Sequence, residues 1–201
     1  GALPIISDAR EALTALLAML REQGYRTEPA YGDRVESLKA EWNAAVDRLR
    51  RVETPDQLTQ ANVIGIVNDA SGPRDVVVCA AGSMPGDLLK LWRPVDPKGY
   101  HLEYGYSTMG YEIAGGLGAK MADPSREIYV MVGDGSYLML HTEIVTAIQE
   151  GIKLTIVVVD NGGFQSIKGL QMGCGSPPFG NELRLRNPQT GRLDGDYLTV
   201  D

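Results

Sequence analysis

Apolar residues recur at helical spacing through the first third of the chain and gather into short β-branched runs after it. Between residues 8 and 24, Ala9, Leu13, Leu16, Leu17 and Leu20 share one helical face, behind an Asp8-x-x-Glu11 capping box and ahead of Gly24. Those are the start and stop signals of an amphipathic helix. A second helix is predicted over Arg34 to Arg51, with Val35, Leu38, Trp42, Ala45, Val46 and Leu49 on one face. A Gly, Pro and Tyr loop separates the two. A third helix is predicted to begin at Thr54-Pro55-Asp56-Gln57, where Thr caps and Pro takes the first helical position, and to run to Asn68.

From Asp75 the period changes. DVVVCAA, EIYVMV and KLTIVVV are separated by glycine-rich loops and helical segments, the alternation of strands and crossover helices that builds a parallel sheet. The expected fold class is α/β, a parallel sheet with helices on both faces, preceded by a helical segment. A boundary near residue 60 divides a helical tail of a preceding domain (1–60) from the sheet domain (61–201), and DYLTV near the end reads as one more strand. The start GALPIISDAR, without an initiator Met, and the stop at Asp201 lead to the expectation of a piece of a longer protein, truncated within its sheet domain.

Residues 132 to 163, VGDGSYLMLHTEIVTAIQEGIKLTIVVVDNGG, hold two turn signals. As a bare dipeptide, Asp134-Gly135 also fits a β-hairpin. Leu140, Ile144, Ala147 and Ile148 at helical spacing, with Gly151 as a stop, favour strand, turn, helix, strand. A right-handed crossover makes the second strand parallel to the first, so neighbouring strands end about 5 Å apart. Asp134 and Asn161 then meet at the edge where open α/β sheets bind ligands. A carboxylate, an amide oxygen and the carbonyl near Gly163 are hard donors suited to magnesium or calcium, and three protein ligands leave room for a diphosphate. Gly135 and Ser136 open the following helix, where phosphate oxygens are favoured, though Ser136 also reads as a plain N-cap.

Composition narrows the classes. The chain has 201 residues, 43% of them hydrophobic, enough for a sizeable core, and a formal charge of −7, which disfavours nucleic acid and acidic membranes as partners. No run approaches the roughly 20 apolar residues of a membrane span. Two cysteines, Cys79 and Cys174, make neither a disulfide framework nor a zinc site and fit a reducing cytoplasm. Gly82-Ser83-Met84-Pro85-Gly86 after the first strand does not supply the GxGxxG of a nicotinamide dinucleotide domain.

Gly133-Asp134-Gly135 followed by Asp160-Asn161 resembles the GDG...N signature of thiamine-diphosphate enzymes, and GYSTMGYEIAGGLGAK at 105–120 resembles the family's loop and helix under the thiazolium ring. The resemblance implies thiamine diphosphate and magnesium as cofactors. It implies that Met109 supports a bent cofactor, that the Ser107 carbonyl and Met109 amide face the pyrimidine, and that Gly82 and Ser83 form the first diphosphate-side loop. By the same match, Asp134, Asn161 and Gly163 hold the metal, and Gly135 and Ser136 the diphosphate. Taken alone, Met109 reads equally as a core methionine and Gly82-Ser83 as a strand-ending turn.

YGYSTMGYEIAGGLGAKMA, VGDGSYLMLHTEIVTAIQEG and NPQTGRLDGDYLTVD resemble most a branch of the family that hydrolyses a carbon–carbon bond of a small polyol diketone. A 2-keto acid decarboxylase, an acetohydroxyacid synthase or a non-catalytic cofactor-binding domain are the alternatives. Glu112 stands where most relatives have a small residue; it reads either as a solvent-facing acid or as a ligand for a polyol hydroxyl. The family's activating glutamate lies on a separate pyrimidine-binding domain, usually from a neighbouring subunit of a homo-oligomer. Nothing here resembles that domain, so no catalytic residue is assigned to this chain, which is expected to be inactive alone. His101, His141 and Cys174 read as structural, the QMGCGSPPFG segment as a mobile loop over substrate, and Arg184, Arg186 and Arg192 as substrate contacts or a solvated surface.

Overall fold

The computed structural model describes residues 2–200 and divides into two compact units, one ending at Ala45 and the other starting at Val46. The first contains helix α1 (Ala9–Glu22) and most of α2 (Pro29–Leu49). The Asp8 carboxylate caps α1 by accepting from the Arg10 and Glu11 amides at 2.9 and 3.2 Å. Its apolar stripe is there, but no residue of α1 is buried. Helix α2 begins at Pro29 instead of Arg34, because proline suits a first helical position and carries Tyr31 and Gly32 into the helix.

The second unit is a four-stranded parallel sheet of β1 (Val76–Cys79), β2 (Tyr100–Leu102), β3 (Ile128–Gly133) and β4 (Thr155–Val159), in the order β2-β1-β3-β4. Helices α3 (Gln60–Ala70), α4 (Met84–Leu91), α5 (Tyr111–Ala122), α6 (Asp134–Met139), α7 (Glu143–Gln149) and α8 (Gln165–Gly173) complete it. Both faces are covered. Val77, Cys79 and Met131 pack with Ile64 of α3 and Leu88 and Leu91 of α4. The alternate strand positions Val76, Val78, Ile128, Val130 and Val132 pack with Ile113 of α5 and Ile144 of α7. That two-sided burial is why the strands read as unbroken β-branched runs.

The order in which strands are added reverses at β1: β2 lies on one side of it and β3 on the other, so β1 and β3 flank a topological switch point, where open sheets open a crevice at their carboxyl ends. The pairing of Gly133 with Val159 ends β3 and β4 level, which brings the Asp134 and Asn161 turns side by side.

Four local expectations are corrected. Helix α3 starts after Thr59, whose side chain and amide exchange bonds with Asn62, and not at Thr54. The segment after Asp134 is two helices broken at Leu140, which sits against Gly110. The segment QMGCGSPPFG, expected as loop from residue 171, begins inside a helix, α8, which runs from Gln165 to Gly173. DYLTV is not a named strand; Tyr197 makes only an isolated antiparallel bridge to Arg184. Among the described residues no helix is long and apolar enough to cross a membrane.

Candidate cofactor and metal site

Four loops leave the carboxyl ends of the strands and line one cavity of about 240 Å³. The β1 loop contributes Gly82, at φ 88°, and Ser83. The β2 loop contributes Ser107 and Met109. Ser107 has φ 52°, a left-handed conformation that costs a non-glycine residue about 1–3 kcal/mol. Glu103 offsets that strain by accepting from the Thr108 amide at 2.8 Å and the Tyr106 amide at 3.1 Å. These two bonds, Thr108 first, hold the Glu103 carboxyl below its ordinary range.

From β3 come Gly135 and Ser136, and from the β4 turn Asn161 and Gly163. Asp134 is fully buried beside them. Burial raises its carboxyl above the usual range and the Asp160 charge adds to the rise, while the Gly135 and Gly163 amides offset part of it. One terminal atom of the Asn161 carboxamide lies 2.9 Å from the Gly163 carbonyl oxygen and 3.2 Å from Asp134 Oδ1. With nitrogen there, the amide donates to both; with oxygen there, three oxygens converge on one point. Asp134 Oδ2 is buried without a hydrogen-bond partner. A buried unpartnered carboxylate oxygen beside an amide and a carbonyl fits a hard divalent cation. Among the described residues no group of three or more His, Cys, Asp or Glu could hold a metal, so any such site draws on backbone and amide oxygens.

The turn at residues 160–163 is held by the far end of the chain. Gly162 and Gly163 have φ 78° and 129°, and Gly163 bridges to Glu182. The Phe164 amide donates to the Asn181 carbonyl at 2.7 Å and the Leu183 amide to the Gly162 carbonyl at 2.9 Å. Asp160 accepts from the Gly162 amide at 3.1 Å and from the Val200 amide at 3.0 Å. Arg184, read from sequence as a substrate contact or surface charge, instead pairs with Glu182 and lies 3.8 Å above the Tyr197 ring.

Glu112 departs furthest from expectation. It is 1% exposed, not solvent-facing, and its oxygens are taken by Ala81, Gly110 and Ser136, which leaves no reach to a polyol. The Ser136 hydroxyl donates to Glu112 and accepts from Gly110, so it caps no helix. His101 lies within β2, with its Nε2 2.7 Å from the Tyr111 hydroxyl. His141 is exposed at the break after α6, stacked on Tyr137. Cys174 is exposed at the end of α8. Gln60, Phe164, Ile167 and Leu170 also line the cavity, and no sequence motif marked them.

Residues 80–190 match the family described as thiamine pyrophosphate enzyme, C-terminal TPP binding domain. The chain belongs to this family. The matched stretch begins where β1 ends and contains all four cavity-lining loops. Among relatives of this thiamine pyrophosphate enzyme domain is the 3D-(3,5/4)-trihydroxycyclohexane-1,2-dione hydrolase of Bacillus cereus (strain AH820), 44% identical over an alignment covering 100% of this chain and 34% of that protein. The hydrolase of the same name from Bacillus thuringiensis (strain Al Hakam) is 43% identical with the same coverage. This chain thus spans about a third of the length of the curated relatives it matches. The Rhodococcus jostii RHA1 thiamine diphosphate-dependent 4-hydroxybenzoylformate decarboxylase shares the fold, with a TM-score of 0.59 and 21% identity over 65% of this chain and 25% of that one.

Proposed function

We propose that this chain is the magnesium- and diphosphate-holding part of a thiamine-diphosphate-dependent hydrolase that cleaves a carbon–carbon bond of a cyclic 1,2-dione. The observation that carries the reading is the meeting of Asp134, Asn161 and the Gly163 carbonyl beside the switch point, with Asp134 Oδ2 buried and unpaired. Asp134, Asn161 and Gly163 would hold magnesium. Gly82, Ser83, Gly135 and Ser136 would line the diphosphate, with Ser107 and Met109 against the rings. When bound, the cofactor supplies the carbanion and electron sink that carbon–carbon cleavage needs. The chain orients it: the strained Ser107 backbone, fixed by Glu103, presents a carbonyl, and Met109 supplies an apolar support beside it.

A cavity of about 240 Å³ is small beside the roughly 300–1,000 Å³ of enclosed ligand sites, which suits one wall of a two-sided site. Exposed Tyr106, Ile167 and Leu170 supply apolar surface for the other wall. That wall is proposed to be a pyrimidine-binding domain bearing the activating glutamate, from a neighbouring subunit of a cytoplasmic homo-oligomer. The name of the 44% identical relatives supports trihydroxycyclohexane-1,2-dione as the proposed substrate; its opening to 5-deoxyglucuronate, in myo-inositol catabolism, belongs to the same proposal. The test supplies that dione, thiamine diphosphate and magnesium to the protein extended to its relatives' length. Ring-opened acid is the expected product. Carbon dioxide release from a 2-keto acid, with the dione untouched, contradicts the substrate assignment.

A further inference from the structure

The carboxylate of Glu112 lies in the second position of α5, yet it points into the crevice between β1 and β3 and not to solvent. Its Oε1 accepts from the Ala81 amide at 3.2 Å. Its Oε2 accepts from the Gly110 amide at 3.0 Å and from the Ser136 hydroxyl at 2.8 Å. The Gly110 amide is shared with Ser136 Oγ at 2.8 Å, which closes a ring of three groups. Each donor sits in the segment that leaves a different strand: Ala81 precedes the Gly82-Ser83 turn after β1, Gly110 follows Met109 after β2, and Ser136 lies in the first turn of α6 after β3. Strand β1 pairs with both β2 and β3, but the pairing ends at Cys79 and Leu102 on one side and at Val78 and Val130 on the other, short of all three donors. A buried carboxylate that accepts three bonds is satisfied; removing it strands the Ala81 amide and the Ser136 hydroxyl and leaves the Gly110 amide only Ser136 Oγ.

We infer that Glu112 is a positioning residue: its carboxylate is the clasp that couples the β1, β2 and β3 loops, so that ordering one of them orders all three. The coupling to cofactor rests on the function proposed above; the clasp itself does not. A glutamine keeps the shape but offers a single acceptor. That oxygen serves the two donors at Gly110 and Ser136 and turns the amide nitrogen toward the Ala81 N–H, so the β1 loop alone is released.

The test uses the 201-residue chain and its E112Q and E112A variants. Amide hydrogen exchange is read by NMR without ligand, and thiamine diphosphate with magnesium is then titrated. In E112Q, exchange at Ala81 is expected to rise tenfold or more while Gly110 stays protected; in E112A both rise; in both variants the strand amides of Val77 and Val130 are unchanged. Cofactor affinity is expected to fall tenfold or more in E112Q. Exchange that rises uniformly across the sheet makes Glu112 a general stabiliser and overturns the clasp. Loops that loosen while affinity holds overturn the coupling. If the unsubstituted chain binds no cofactor, the functional reading and the coupling fall together, and the ligand-free exchange pattern still decides the clasp.

Discussion

Replacing Gly163 with alanine separates the metal turn from the tail that holds it. Gly163 has φ 129°, outside the regions open to residues with a side chain, at a cost of about 1–3 kcal/mol. An alanine Cβ there would lie 2.5 Å from the Asn181 carbonyl oxygen, 3.0 Å from the Leu183 nitrogen and 3.1 Å from the Glu182 Cα. These are backbone atoms, so the tail must move. Movement breaks the Phe164-to-Asn181 and Leu183-to-Gly162 bonds, of 2.7 and 2.9 Å, each worth about 0.5–1.5 kcal/mol. The expected loss is about 2–6 kcal/mol, confined to the turn and residues 180–200. Urea denaturation of the chain reads the total, and exchange at the Phe164 and Leu183 amides reads the location. Gly169→Ala is the control: that helical glycine has nothing within 4 Å of an added Cβ, so the change gains up to about 1 kcal/mol. A Gly163→Ala chain within about 0.5 kcal/mol of the parent, with both amides still protected, refutes the reasoning.

Other consequences are as concrete. Burial first, and then the Glu112 charge, push the Cys79 thiol up to about 12, whereas Cys174 is exposed. A thiol reagent at pH 8 should label Cys174 alone in the folded chain and both cysteines in urea, as read by mass spectrometry; labelling of folded Cys79 contradicts the packing. Arg184, then Lys168 and Tyr197, hold the Glu182 carboxyl down to about 2. Its folded value lies below the ordinary ~4.3, so its contribution is complete above that pH and is lost as pH falls through about 2. A carboxyl-carbon NMR titration should place its midpoint near 2; one near ~4.3 means the tail cluster is not formed. An added Cβ at Gly116 would lie 2.4 Å from Val130 Cγ2, so Gly116→Ala should cost about 1–3 kcal/mol of overpacking, part of which Val130→Ala in the same chain restores, by urea midpoints.

Strands β1, β3 and β4 were legible because burial on both faces leaves no polar position to interrupt a β-branched run, as Val76 to Cys79 shows, whereas β2, Tyr100–Leu102, has no such run and was not among them. The meeting of Asp134 and Asn161 was legible for a related reason: a strand, a Gly-Asp-Gly turn and a return strand leave them only one edge to share. Helix α3 was misplaced because Asn62, not a Glu or Gln, completes its capping box. The break at Leu140 left the apolar spacing intact, so periodicity could not register it, and the glycines and prolines of QMGCGSPPFG hid the last turn of α8. Glu112 was misread because an acid on a helix is ordinarily solvated; only the juxtaposition of three loops distant in sequence gives it partners. The hold of residues 180–200 on Gly162 and Gly163 is equally non-local, and no turn signal in NPQTGRLDG reports it.

In the proposed site, Asp134, Asn161 and Gly163 hold a divalent cation that in turn holds a diphosphate. Titration calorimetry of the chain with thiamine diphosphate, with and without magnesium, tests it directly when repeated on Asp134→Ala, whose fold is checked by the dispersion of its NMR spectrum. The account predicts weak binding that requires magnesium and disappears in the folded variant. Binding that is indifferent to magnesium, or that survives the substitution unchanged, contradicts it.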